Sequence, residues 1–429
     1  MRTDSIPVVG ADIAVVGGSI AGCATALAAH RAGAGRITVF ERAGAHLADR
    51  GVGLAVHNSR YAELTAAGYM DAAMPWVQLT TRRWYVREGA APLGRQIAAL
   101  PFPFRSYCWG PLWQELRRRL PATTDFRTGT PVREVRATAN GAALHLGDGP
   151  SSGAADEAGG TPSTIDRFDL VIGADGYRSV VREAAFPEVR PRYAGYLAWR
   201  GAVPAERLAA LDPPGLPPEP WAEEDCIYAV FPGGHVILYR IPDGRGGHRA
   251  NWVLYTAPPA DAGLRLDTPT SLPPGTLTDA LHSHLRHVTE ALLPPYWGGL
   301  IRLTPPQEVF IQPMYDFTAP RYTSGRLVLA GDAATVARPH TGAGAVKALQ
   351  DAAALEAALL AAAERPGALD AYGAERGATG RTMVELGRRL GRPLVQETPD
   401  WGALDQTGVE SLWSAADGSG AFGGRALQS

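Results

Sequence analysis

One stretch near the N-terminus narrows the fold more than any other. Asp12-Ile-Ala-Val-Val16 is a short β-branched apolar run ending in Gly17-Gly18, and a helical pattern follows from Ser19 to about Arg31. After Gly33-Ala-Gly35 comes a second apolar run, Ile37-Thr-Val-Phe40, closed by Glu41. Strand, glycine turn, helix and strand in that order predict a βαβ unit, and with it a parallel sheet covered by helices. The turn reads Gly17-Gly-Ser-Ile-Ala-Gly22, a G-x-G-x-x-G pattern with Ser19 in the middle glycine's place. Gly17 permits the tight turn and Gly22 lets helix approach strand, while the N–H groups around Ser19, Ile20 and Ala21 offer the positive end of the helix dipole to a pyrophosphate. Glu41 ends the next strand, where its carboxylate accepts the hydroxyls of a ribose. The pattern alone is weak, since Gly418-Ser-Gly-Ala-Phe-Gly423 matches it fully with no strand before it. The flanking elements and the acid make the first copy a dinucleotide site.

Two further apolar runs end at Gly/Asp turns. Phe168-Asp-Leu-Val-Ile-Gly173 leads into Asp175-Gly176, and Arg326-Leu-Val-Leu-Ala330 leads into Gly331-Asp332, so one sheet is assembled from distant pieces of chain. Between about Arg192 and Thr256 the pattern changes to short strands rich in Tyr, Trp and Val, separated by Pro232-Gly-Gly234 and Asp243-Gly-Arg-Gly-Gly247. These predict a mainly antiparallel sheet inserted into the first unit. The expected division is 1–77, 106–190 and 311–391 for a discontinuous dinucleotide-binding domain and 78–105 with 192–310 for a substrate domain. Helices then lead to a Gly/Ser-rich tail, 392–429, read as loose. The stretch 147–166 lacks apolar periodicity and reads as a mobile loop.

Composition removes several classes of function. The chain has 429 residues, with 41 Lys+Arg against 43 Asp+Glu, too little positive charge for a nucleic-acid partner. Its three cysteines exclude a disulfide framework and a CxxC zinc or redox site; no metal is expected, and a reducing cytoplasm fits. No signal peptide stands at the N-terminus, and the apolar segment 352–363 is interrupted by Glu356 and too short to span a bilayer. Lys347 is the only lysine, which excludes a P-loop of the GxxxxGK[ST] form. A monomer and a homodimer both remain compatible.

Asp175-Gly-Tyr-Arg-Ser-Val-Val-Arg182 sets a carboxylate, a hydroxyl and a guanidinium at the start of a helix. One reading is plain helix capping with a solvated i,i+3 pair; the other is ligand binding. Gly331-Asp332-Ala-Ala-Thr-Val-Ala-Arg-Pro-His-Thr-Gly-Ala-Gly344 puts an acid past a buried strand and a Gly-rich loop before a long helix. That is either a glycine hinge, or a site where Asp332 binds polyol hydroxyls and the N–H groups of Gly342, Ala343, Gly344 and Ala345 stabilise negative charge on a ring.

The three motifs, in this order and at these separations, resemble the p-hydroxybenzoate-hydroxylase-like (class A), single-component FAD-dependent monooxygenases over about residues 12–390. Around RGVGL (50–54), AGYLAWRG (194–201), VFIQPMYD (309–316) and ARPHTGAGAVKA (337–348) the chain looks most similar to the 2,6-dihydroxypyridine 3-monooxygenase branch. The resemblance implies a Rossmann-like α/β FAD-binding domain of the GR2/PHBH fold. It further implies NADH or NADPH as transient reductant, O₂ as co-substrate, and hydroxylation of a small aromatic or heteroaromatic ring through a flavin C4a-hydroperoxide. Position by position, Gly17, Ser19, Ile20, Ala21, Gly22, Glu41 and Arg42 hold the ADP half, with Arg50, Gly53 and Val132 also on the cofactor side. Asp175 and Arg182 serve FAD and reductant, Asp332 the ribityl chain, and Pro339 with 342–345 the isoalloxazine. Thr335, Ala343 and Val346 depart from the His, Gln and Asn of many relatives.

For the base or orienting group the candidate is His340, beside Pro339, with a backbone-satisfied loop histidine as its alternative. His57, His235, Tyr239 and Trp252 are substrate-side candidates, and period-2 alternation leaves open which way Tyr239 and Trp252 face. Epoxidation or Baeyer-Villiger insertion on a natural-product scaffold is the neighbouring outcome, and a catalytically inert FAD-binding protein the different-class one. A flavin halogenase fits poorly, because Lys347 lies on the flavin-side helix and no WxWxIP motif is present.

Overall fold

The computed structural model describes residues 8–44, 53–138, 140–147, 164–211, 213, 215–217, 219–267, 270–362, 364–418 and 420–424. Arg50 and most of the 147–166 stretch lie outside them. Two large sheets carry the chain. The first has six strands in the order Thr323–Ser324, Leu327–Leu329, Leu170–Gly173, Asp12–Val16, Arg36–Glu41, Asp125–Thr128. Its central pairings are parallel, with Val15 opposite both Val39 and Ile172. Leu170–Gly173 and Leu327–Leu329 are buried throughout, as expected for strands covered on both faces, and their short apolar runs marked them in the sequence.

The second sheet has nine strands, in the order Thr335–Val336, Phe310–Thr318, Arg192–Pro204, His248–Thr256, Gly234–Pro242, Asp225–Phe231, Val77–Val86, Arg95–Cys108, Gly53–His57. It is mainly antiparallel, with one parallel pairing between Asp225–Phe231 and Val77–Val86. Alternation along its strands divides its residues between two cores. Trp199, Ile227, Leu238, Trp252 and Leu254 pack with Leu281, Trp297 and Leu300 of the helices Asp279–His287 and Pro295–Arg302. Tyr196, Tyr228, Tyr239 and Tyr255 pack on the opposite, inner side with Leu386 and Leu390 of the long helix Ala368–Gly391. Gly53–His57, most of Phe310–Thr318 and Thr335–Val336, from intervals assigned by sequence to the first unit, hydrogen-bond into this sheet. A three-stranded sheet of Val132–Thr138, Gly141–Leu146 and Thr164–Phe168 completes the set.

The tail expectation is corrected for residues 392–424. Gln406–Asp417 is a helix whose N-cap Asp405 accepts from the Gly408 N–H at 2.9 Å. Trp401, Val409, Ala416 and Phe422 join the inner core. Val409, Leu412, Trp413 and Ala416 stand at i, i+3, i+4 and i+7, a helical stripe whose burial outweighs the glycines and serines around it.

Candidate active site

The first glycine turn is closed by close approach. Gly17 has φ 99°, and a Cβ there would lie 2.3 Å from the Ala174 carbonyl oxygen; one on Gly22 would lie 1.8 Å from that of Gly17. Only glycine fits at either place. Ser19 precedes the Ile20–Arg31 helix without a side-chain cap, so the first-turn N–H groups around Ile20 and Ala21 take no capping bond from it. Glu41 is buried, its Oε2 accepting from the Gly18 N–H (2.8 Å) and its Oε1 from the Ala43 N–H (2.7 Å), which fixes the carboxylate and leaves lone pairs for hydroxyls. Arg42 next to it is exposed. Backbone bonds from Thr130 N–H to Glu41 O and Gly129 N–H to Ala43 O lead the chain to Val132 alongside. Sequence reasoning missed three neighbours. Trp113 Nε1 donates to the Gly18 carbonyl at 2.8 Å, and Arg117 lies 4.0 Å above the ring of Phe126, which itself crowds Gly18. Trp109 and Trp113, at i and i+4 on the Trp109–Arg118 helix, were the available signal.

The capping reading of the second motif holds for its serine and its acid. Ser179 caps the Val180–Ala185 helix, accepting from the Arg182 N–H at 2.9 Å, and Asp175 Oδ2 accepts from the Val180 N–H at 2.8 Å. Arg182, however, is buried and not part of a solvated pair: Nη1 donates to Ala333 O (3.1 Å), Nη2 to Tyr177 O (2.9 Å), and the guanidinium lies 4.2 Å over Phe317. It thereby ties the Asp175 turn to the Asp332 turn. Asp175 Oδ1 is buried without a partner, and burial raises its pKa above the ordinary carboxylate value.

The third motif is held from below by an ion cluster. Asp351 Oδ2 accepts from the Gly331 N–H (2.9 Å) and from Lys347 Nζ (2.6 Å), Oδ1 accepts from Arg376 Nε (2.7 Å), and Lys347 Nζ also donates to Gly331 O (3.2 Å). The chain's only lysine and its partner Asp351 thus clamp both backbone groups of the glycine before Asp332, the lysine at the carbonyl and the aspartate at the N–H. The Asp332 side chain is exposed and takes no hydrogen bond among the described residues. Farther on, Gly342 turns the chain at φ 62° with its own N–H donating to Pro339 O at 2.9 Å, and the helix Gly344–Ala362 begins two residues later, so of the expected donors it is Ala343, Gly344 and Ala345 that present N–H groups.

Between these turns, Pro339–Thr341 forms a single tight turn that buries His340 against the inner sheet face. His340 Nε2 shares a 2.8 Å hydrogen bond with Tyr196 Oη, and its Nδ1 is buried without a partner. Its ring centroid lies 4.6 Å from that of Tyr255 and 5.3 Å from that of His235. His235 Nδ1 must donate to Leu394 O at 3.1 Å, because a carbonyl only accepts; Nε2, buried and unpartnered, therefore carries a lone pair. Burial lowers the His235 pKa from 6.5 to about 3. Burial holds His340 well below its ordinary value, helped by repulsion from His235 should that ring protonate and by the charges of Arg338 and Arg200, so both rings are neutral near pH 7. Burial pushes the Tyr196 and Tyr239 hydroxyls up. Arg200, unsuspected from sequence, bears on Tyr239, Tyr255 and His340 and has a buried, unpartnered Nε. Its signal was a charge in phase with Tyr196 and Ala198 inside the apolar run that follows Arg192 on this strand.

Of the substrate-side candidates, His235 and Tyr239 lie on this inner face. Trp252 does not: it faces the opposite core and donates Nε1 to Thr304 Oγ1 at 2.8 Å, because alternation along His248–Thr256 sends Val253 and Tyr255 inward instead. His57 caps the Asn58–Ala66 helix, accepting from the Ser59 N–H, and packs edge-on against Phe104. Gly53 donates its N–H to Asn251 Oδ1 (2.9 Å) and is hemmed in by Tyr239 and Ile241. Among the described residues no cluster of His, Cys, Asp or Glu is arranged to hold a metal ion, and no helix is long and apolar enough to cross a membrane.

A family model described as an FAD binding domain matches residues 290–386. The chain is 32% identical to 3-amino-4-hydroxybenzoate 2-monooxygenase of Streptomyces cremeus, over 83% of this chain and 79% of that protein. It is 27% identical to 2,6-dihydroxypyridine 3-monooxygenase of Paenarthrobacter nicotinovorans, over 80% and 81%. Among solved structures, 2,6-dihydroxypyridine-3-hydroxylase from Arthrobacter nicotinovorans superposes with a TM-score of 0.74 at 24% identity, covering 93% of this chain and 97% of that one. HpxO of Klebsiella pneumoniae, complexed with FAD and uric acid, gives 0.70 at 21% identity, covering 97% and 95%.

Proposed function

Because this chain belongs to the class A FAD-dependent monooxygenases, using NAD(P)H and O₂, we propose that it hydroxylates a small aromatic or heteroaromatic compound held beside His340 on the inner sheet face. The residues present fit the cofactor. Gly17 and Gly22 stand where any Cβ would collide with backbone, a buried acid ends the second strand, and Asp175 Oδ1 is an orphaned acceptor between the two turns. Glu41 would hold the ribose, the first turn of the Ile20–Arg31 helix the pyrophosphate, Asp332 the polyol chain and the N–H groups of 343–345 the ring. Bound FAD supplies the oxygen activation, drawing electrons from NAD(P)H.

The observation that carries the substrate assignment is the unpartnered Nδ1 of His340. Leaving a buried acceptor or donor unbonded costs about 1–3 kcal/mol, which a ligand hydroxyl or ring nitrogen removes. With Tyr196 accepting from Nε2–H, Nδ1 of the neutral ring accepts a hydrogen bond from a substrate hydroxyl, which orients the substrate and raises the electron density of its ring. Arg200 favours negative charge developing on that oxygen, Tyr255 and Tyr239 offer aromatic walls, and the surrounding core keeps water out. The test is a panel of hydroxypyridines, aminohydroxybenzoates and indoles, scored by stimulated NAD(P)H oxidation and by a product heavier by one oxygen atom. Protein that stays colourless after reconstitution with FAD, or reductant consumption with no oxygenated product from any class, overturns the reading.

A further inference from the structure

We propose that an arginine-lined crevice beside the Pro339 turn docks the phosphate groups of the visiting pyridine dinucleotide; this rests on the reading above. Among the described residues one glycine-turned βαβ unit is present, and FAD takes it, so the reductant's phosphates need positive charge elsewhere. Two crevices of similar size differ in that respect. One, of about 380 Å³, is lined by Arg82 against Glu410 and Asp417, one positive group to two negative. The other, of about 390 Å³, is lined by Arg192, Arg338, Arg388 and Arg392 against Asp316 and Glu397, four positive to two negative.

The surplus in the second crevice is available to a ligand. Asp316 is buried and already shared, accepting from Arg338 Nε at 2.9 Å and Arg388 Nη2 at 2.5 Å. Arg392 pairs with Glu397 at 2.7 Å, but the two side chains are 67% and 62% exposed, so water screens the pair and a phosphate displaces it at little cost. Arg192 is exposed and makes no ion pair among the described residues. Guanidinium forks at Arg192 and Arg392 suit bidentate contact with phosphate oxygens, and the half-buried ring of Tyr193 lines the same crevice as a stacking surface. Arg338 lines this crevice while His340, two residues on, lies in the proposed substrate chamber. A dinucleotide anchored here therefore starts beside the turn that the nicotinamide must reach.

The experiment titrates the holoenzyme with ADP-ribose and with 2′-phospho-ADP-ribose, which carry the phosphates but no nicotinamide, and reads heat of binding across a salt series. R192Q/R392Q should weaken at least one probe about tenfold at low salt and flatten its salt dependence by about two charges, with flavin content and visible spectrum as in the parent. Weakening of the 2′-phosphorylated probe alone assigns the contact to the 2′-phosphate; weakening of both assigns it to the pyrophosphate. The charge-matched variant R136Q/R286Q, exposed on other elements, should bind like the parent. Equal affinity in R192Q/R392Q and parent, equal loss in R136Q/R286Q, or no binding of either probe to the parent overturns the proposal. The heat signal does not need flavin, so a colourless preparation counts against the FAD reading and leaves the crevice separately testable.

Discussion

His340 and His235 concentrate the chemistry of the inner face, and each supports a separate test. His340→Ala should keep FAD yet uncouple the enzyme, so that NAD(P)H is consumed with little hydroxylated product; a product-to-reductant ratio equal to the parent's removes the proposed role. The pH test rests on burial. Both imidazoles are neutral in the fold and would bind protons near pH 6.5 once unfolded, so their contribution is complete above about pH 6.5 and is lost as pH falls below it, for His235 toward about 3. Each ring should cost roughly 1 kcal/mol of stability per pH unit below 6. Urea midpoints measured from pH 7 to pH 4 should fall less steeply in His235→Phe than in the parent, and parallel curves would count against the buried neutral state. His340 was legible from its place after Pro339, whereas Arg200 and the Tyr196 partner were not. Nothing local to Ala198-Trp-Arg200 tells which neighbours its inner face will meet.

At the scale of elements, the Gly344–Ala362 helix holds the Asp332 turn by one carboxylate shared between two buried cations. Asp351→Asn leaves Lys347 and Arg376 buried without their shared carboxylate and should cost about 3–5 kcal/mol. Adding Lys347→Met should restore part of that, because one buried charge is then removed. Thermal unfolding of the single and double variants checks the order, and a double variant no more stable than Asp351→Asn contradicts it. Gly17→Ala is set by geometry alone: a positive φ and a Cβ 2.3 Å from a carbonyl oxygen predict several kcal/mol of destabilisation and loss of bound flavin. A folded Gly17→Ala protein with parental flavin content would show that the turn has another way to relax. The glycine turn could be read from composition and order because its constraint is local. The ion cluster could not, since it joins positions 331, 347, 351 and 376 from three different elements.

The whole molecule is closed by the segment that composition made look loose. The Gln406–Asp417 helix lays Trp413 over Arg82, 3.5 Å from guanidinium carbon to ring centroid, and Trp401 packs 5.8 Å from Trp84. Arg82 is buried with unpartnered Nε and Nη1, and the rings around it, Tyr228 and Phe102 among them, offset part of its desolvation. Removing residues 406–429 would uncover this cage, so the truncated chain should bind a hydrophobic dye and lose cooperative unfolding; a sharp parental transition would mean that the segment is an accessory. The amino-acid sequence by itself determined the βαβ turn, the three Gly/Asp motifs, the family and the presence of an inserted antiparallel sheet, because strand runs, glycine positions and acids at strand ends act over a few residues. Only the tertiary structure decided that Trp252 faces away, that Arg182 bridges two turns, that the lone lysine is a buried clamp and that four arginines meet at one crevice. Those facts depend on which faces of distant elements are pressed together, and burial and charge compensation are properties of that packing, not of any one stretch of chain.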